Sequence, residues 1–139
     1  MNRDVKLNIV GIQMGASGTD RIETAAEAQY YDKGGSRFVI YEEQGEGFEE
    51  PIKSRIKFKK NYLEISRQGN VSTHMVFEEG RKNMAEYGMP YGTVLLGTDT
   101  HSMELSESGE RIVIKISYSL EINGSHQSDN CIEIKIENR

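Results

Sequence analysis

Ile112-Val-Ile-Lys-Ile-Ser-Tyr-Ser-Leu-Glu-Ile122 alternates side chains of two kinds, and Asn123-Gly124 follows it directly. Beyond that pair, Ile132, Ile134 and Ile136 resume the rhythm against Glu133 and Lys135. Successive side chains of a strand point to opposite faces, so the pattern describes a sheet with one dry face and one wet one. Asn-Gly between two such runs is a hairpin signal, because the tight turn needs positive φ at both central residues.

The same period extends outward over most of the chain. Val5, Leu7 and Ile9 share one phase and Val10, Ile12 and Met14 the other, with Gly11 at the change. This slip predicts a β-bulge in the first strand. Between 20 and 31, Asp20 and Glu23 resemble a helix capping box. Ile22, Thr24, Ala26, Ala28 and Tyr30 nevertheless keep period two, which predicts a strand. Phe38-Val-Ile-Tyr41 is apolar on both faces and precedes an acidic loop containing Glu42, Glu43, Glu46, Glu49 and Glu50. Ile52, Ser54, Ile56 and Phe58 alternate with Lys53, Arg55, Lys57 and Lys59. Lys60-Asn61 turns the chain into Leu63, Ile65 and Arg67, and Gln68-Gly-Asn70 into Val71, Thr73, Met75 and Phe77. Gly80 to Pro90 reads as irregular, with room for one helical turn. Residues 91–105 read as a long strand bending at Gly97, and Ser106-Glu-Ser-Gly109 turns the chain into the final hairpin. The expectation is an all-β, antiparallel meander β-barrel of about eight to ten strands in one domain, 1–139.

Composition excludes several function classes. Seventeen basic and 22 acidic residues give a net charge of −5, which is no field for nucleic acid. The basic stripe Lys53, Arg55, Lys57, Lys59 and Lys60 lacks interleaved aromatics and reads as a solvated face. No run approaches the roughly 18 apolar residues of a membrane helix. Met1-Asn-Arg-Asp-Val-Lys runs straight into alternation without the apolar stretch of a secretory signal. The single cysteine, Cys131, at an outward position, needs no oxidising compartment, so the expected location is cytoplasmic.

Tyr41-Glu42, Ile56-Lys57, Arg67-x-Gly69, Met75-x-Phe77-x-x-Gly80, Tyr87-x-x-Pro90-Tyr91-Gly92 and Tyr118-x-Leu120 carry a family likeness over nearly the whole chain. In these pieces the chain resembles the YwiB-like family, small bacterial proteins of unknown function with a calycin-like (lipocalin-like) barrel. Met89 departs from the family pattern, where a small polar residue precedes Pro-Tyr-Gly. The resemblance implies a meander barrel and imports no activity.

The candidate ligand-binding residues are Arg67, Glu42, Tyr87, Tyr91, Tyr118 and Met75. Arg67 shares a phase with Leu63 and Ile65, and Glu42 with Phe38 and Ile40, so alternation aims both inward. A buried charge is costly unless paired, which predicts an Arg67–Glu42 pair or Arg67 meeting an anionic ligand. The bland alternative is that both reach solvent at strand ends. Tyr87, Tyr91 and Tyr118 would supply polar tips to an apolar cavity, and Met75 an adaptable wall. Asp99-x-His101 is the only local acid–base pair, placed in phase with Leu95, Met103 and Leu105. Two ligands are too few for a specific metal site. No Gly-x-Ser-x-Gly elbow is present, so no catalytic residue, metal or cofactor is expected. A third, enzymatic function would need Asp99 and His101 within hydrogen-bond reach inside a cleft, and two functions lead. One is a non-enzymatic binder of a small, partly apolar, possibly anionic ligand, which requires a continuous void reaching Arg67. The other is a structural or interaction module with a filled core, a homodimer through Val39 and Tyr41 on the outer face.

Overall fold

The computed structural model describes residues 1–43, 51–69, 72–89 and 91–139, with Gly88 and Met89 by backbone alone. The expectations for Glu46, Glu49 and Glu50, for Asn70 and Val71, for Pro90 and for the Met89 side chain lie outside these. Ten strands follow one another: β1 (Asp4–Gly15), β2 (Gly18–Lys33), β3 (Ser36–Glu43), β4 (Ile52–Lys59), β5 (Tyr62–Gln68), β6 (Thr73–Glu78), β7 (Lys82–Met89), β8 (Gly92–Ser108), β9 (Arg111–Ile122) and β10 (Ser125–Asn138). They form one antiparallel sheet ordered β6-β5-β4-β3-β2-β1-β10-β9-β8-β7. The first and last strands pair, so the meander closes through its own ends. The two edges of the sheet are β6 and β7, neighbours in sequence that meet without a ladder, and the barrel is nearly closed.

The quoted hairpin forms as its alternation dictates. Asn123 and Gly124 both have positive φ, 50° and 85°. Ile112, Ile114, Ile116, Ile134 and Ile136 are buried on the inner face, joined by Val5, Leu7, Val39, Ile56, Phe58, Leu63 and Phe77. These large side chains fill the middle of the barrel. Arg37 closes one end, its guanidinium 5.0 Å above the Phe58 ring and bonded to Glu107 at 2.6 Å.

Four expectations need correction. The bulge at Gly11 is absent: β1 pairs without interruption to β2 and to β10 from Val5 to Gly15. Val10, Ile12 and Met14 are simply outward apolar residues. The real irregularities lie at His101 of β8 and Gln127 of β10, both against β9. The pairing also runs unbroken through Gly97, where any Cβ would lie 3.1 Å from Met84 Sδ. Glycine serves close approach there, and the break in register sits at His101.

The phase of β3 is the reverse of that expected. Val39 pairs with Ile56 and Tyr41 with Ser54 on the inner face, and Val39 and Tyr41 are 0% and 5% exposed. Phe38, Ile40 and Glu42 face outward, so Val39 and Tyr41 offer no dimer surface. Arg55 and Lys57 cover the Phe38 ring instead, each 5.8 Å from its centroid. Finally, the stretch from Gly80 to Pro90 contains no helical turn among its described residues; Lys82–Met89 is strand β7.

Candidate functional site

The seam between β6 and β7 gathers most of the polar and adaptable groups that the filled centre lacks. The corner joining the two strands is tied to β8 rather than to a mutual ladder. Gly80 N donates to Thr100 O at 2.9 Å, and Thr100 N to Arg81 O at 3.0 Å. From there β7 runs paired to β8 alone, and Tyr87 Oη donates to the backbone carbonyl of His74 at 3.1 Å. A phenol that reaches a main-chain carbonyl spans more than the roughly 4.8 Å between laddered strands.

Two adjoining hollows flank this bridge and share His74, Met84, Ala85 and Tyr87. The inner one, about 120 Å³, is also lined by Met75, Val76, Asn83, Leu96 and Thr98. The outer one, about 450 Å³, continues over Ser66, Arg67, Gln68, Ser72, Thr73 and Glu86. Asn83 lines the inner hollow, and its Nδ2, like Ser54 Oγ and Thr100 Oγ1 elsewhere, is buried without a hydrogen-bond partner among the described residues. Such an orphan donor is uncommon enough to need an explanation. Behind the inner hollow, the Tyr118 ring packs edge-on against Phe77, centroids 4.9 Å apart. Burial pushes the Tyr118 phenol up to about 12 and raises that of Tyr87.

Arg67 stands at the rim and lines a second hollow of about 390 Å³ with Thr24, Ala26, Glu42, Glu43 and Ile52. Its ion pair is with Glu43, one residue beyond the expected Glu42, and its side chain is 44% exposed. The shift follows from the reversed phase of β3, which turns Glu43 inward and Glu42 outward. Burial first, then the Glu43 carboxylate, push the phenol of neighbouring Tyr41 up to about 12 against the opposing pull of Arg67.

Of the six expected residues, Met75, Tyr87 and Tyr118 converge on the seam and Arg67 reaches it from the rim. Glu42 is exposed on the outer face, and Tyr91 is 85% exposed and lines neither hollow of the seam. Asn83, His74 and Glu43 went unread. The signal for Asn83 was present in Asn83, Ala85 and Tyr87 at every second position, which lack the branched apolar character that marks a strand.

The acid–base candidate, Asp99 with His101, is arranged differently from the expectation. His101 Nε2 bonds Ser119 Oγ at 2.7 Å rather than Asp99, and Ser119 Oγ donates to Asp129 at 3.0 Å. The serine proton is thus aimed at the Asp129 carboxylate rather than at the His101 imidazole. The bulge at His101 also flips the phase, so Leu95 faces outward while Met103 is buried. Among the described residues, no three or more His, Cys, Asp or Glu are grouped to hold a metal. Among the described residues there is no helix long and apolar enough to cross a membrane. In the basic stripe, Arg55 pairs with Glu64 at 3.2 Å and Lys59 lies over Tyr62.

Residues 7–134 match the profile of a family described as a domain of unknown function, DUF1934, and the chain belongs to that family. The crystal structure of the ywiB protein from Bacillus subtilis is similar with a TM-score of 0.80 and 21% identity, over 99% of this chain and 92% of that one. At that identity the likeness is one of fold, and it agrees with the resemblance read from the sequence. No curated protein matches the chain.

Proposed function

We propose that this protein is a non-enzymatic carrier or sensor, of calycin type, for one small, partly apolar, anionic molecule held at the β6–β7 seam. The single observation that carries the reading is a hollow walled by Met75, Leu96 and Tyr87 whose lining includes Asn83, an amide buried without a hydrogen-bond partner among the described residues. A donor buried without a partner is costly unless something accepts from it. The outer hollow of about 450 Å³ lies within the usual range for small-molecule sites, and Arg67 at its mouth suits a carboxylate or phosphate. The free, exposed Cys131 favours a reducing cytoplasm as the setting.

The filled centre favours a second reading, a structural module without a ligand. Native mass spectrometry of freshly purified protein separates the two. A bound mass that survives gentle desalting, and that Arg67→Leu or Asn83→Leu removes, supports the carrier. A bare polypeptide mass, with no shift of seam resonances on screening small carboxylates and phosphates, overturns it.

A further inference from the structure

Strand β2 is longer than its neighbour. It pairs with β1 from Gly18 to Gln29, but β3 reaches only Ala28 to Lys33. Among the described residues, Gly18–Glu27 therefore has a strand partner on one side only. An edge of this length is a template for another strand unless it is blunted.

The side chains on this edge are self-complementary. Ile22 is 65% exposed, because its cross-strand neighbour in β1 is Gly11, which has no side chain to cover it. On the opposite face Arg21 and Glu23 bond each other at 2.5 Å, each side chain 61% exposed.

We propose that two copies of this chain associate through β2, antiparallel about a two-fold axis at Ile22. That register sets Ile22 against the partner's Ile22, Arg21 against the partner's Glu23, and Glu23 against the partner's Arg21. Asp20 meets the partner's Thr24, and no like charges face each other. Sliding by one residue either way puts Ile22 against a charge. Re-centring on Arg21 or Glu23 opposes two identical charges, which destabilises a cross-strand pair. A two-fold, isologous contact is the closed arrangement that such a surface allows. One strand edge supplies less than the roughly 800 Å² per partner of a stable interface, so the dimer is weak and concentration-dependent.

The inference stands apart from the ligand proposal and would give the structural reading its surface. Its test is sedimentation equilibrium up to about 1 mM chain, the scale at which weak contacts register. The wild type should move from monomer to dimer across that range. Arg21→Glu and Glu23→Arg should each stay folded by circular dichroism and lose association about tenfold or more. Mixed together, the two variants should associate again, because both cross-strand charge pairs are restored in the heterodimer. A wild type that stays monomeric throughout overturns the proposal. So does a dimer indifferent to both substitutions, or a mixture that fails to recover. None of these outcomes bears on the small-molecule site, which is read by mass.

Discussion

The wall formed by β8, β9, β10 and β1 and the seam between β6 and β7 are built from the same kind of strand and end in different states. In the wall every strand has two laddered neighbours, and Ile112, Ile114, Ile134 and Ile136 are fully buried between them. At the seam one phenol–carbonyl bond stands in for a ladder, and the facing residues are Met75, Asn83 and Tyr87. Apolar β-branched side chains on one face leave a strand few alternatives to burial. Small and polar ones hold it only through its backbone partner, and β7 has one such partner. The difference places stability in one half of the barrel and adaptability in the other.

The largest expected effect sharpens that contrast. Ile114→Ala should cost about 2–5 kcal/mol, because the packed wall cannot collapse around the lost volume. Met75→Ala, beside an existing hollow, should cost about 1 kcal/mol. Equal losses in chemical denaturation would erase the distinction. Tyr87→Phe comes next: loss of the hydroxyl that meets His74 O should cost about 0.5–1.5 kcal/mol.

A smaller effect concerns Glu64 on the outer face. Burial raises its carboxyl pKa, but hydrogen bonds from Tyr62 and His74 outweigh this and hold it below the ordinary value. A lowered native pKa contributes stability that is present above the unfolded value and fades as pH falls through the native one. Glu64→Gln should therefore destabilise modestly near pH 7 and make little difference near pH 3, in paired denaturation curves. A loss that persists at low pH would place its origin in packing. Smallest of all, Asn83→Leu should fall within about 0.5 kcal/mol of the parent without ligand, or stabilise it, since an orphaned donor is removed. A large loss would mean that the amide has a partner after all.

Legibility in the sequence followed the same division. The wall was readable because only one phase of β9 and β10 is strongly apolar and Asn123-Gly124 fixes the turn. Strand β3 was not, because Phe38-Val-Ile-Tyr41 is apolar in both phases; only its pairing to Ser54 and Ile56 decides which face is inner. That one ambiguity moved the partner of Arg67 from Glu42 to Glu43 and turned an expected dimer surface into core. Val10 and Ile12 looked like a slipped phase because outward apolar residues mimic a bulge. Strand β7 was missed because Asn83, Ala85 and Tyr87 carry alternation without hydrophobicity. Met75 and Tyr118 lie in the phase that their alternation gave them, whereas Tyr87 fell in a stretch that read as irregular and Tyr91 in the expected strand 91–105, which begins only at Gly92.

Native-state amide hydrogen exchange tests the central claim, that the barrel opens at the β6–β7 seam while its opposite wall stays shut, most directly. Amides of Ile112–Ile116 and Ile132–Ile136 should exchange only through global unfolding. Those of Thr73–Glu78 and Lys82–Tyr87 should exchange through local openings of much lower free energy. Protection of β6 and β7 as high as that of β9 and β10, in ligand-free protein, would contradict it.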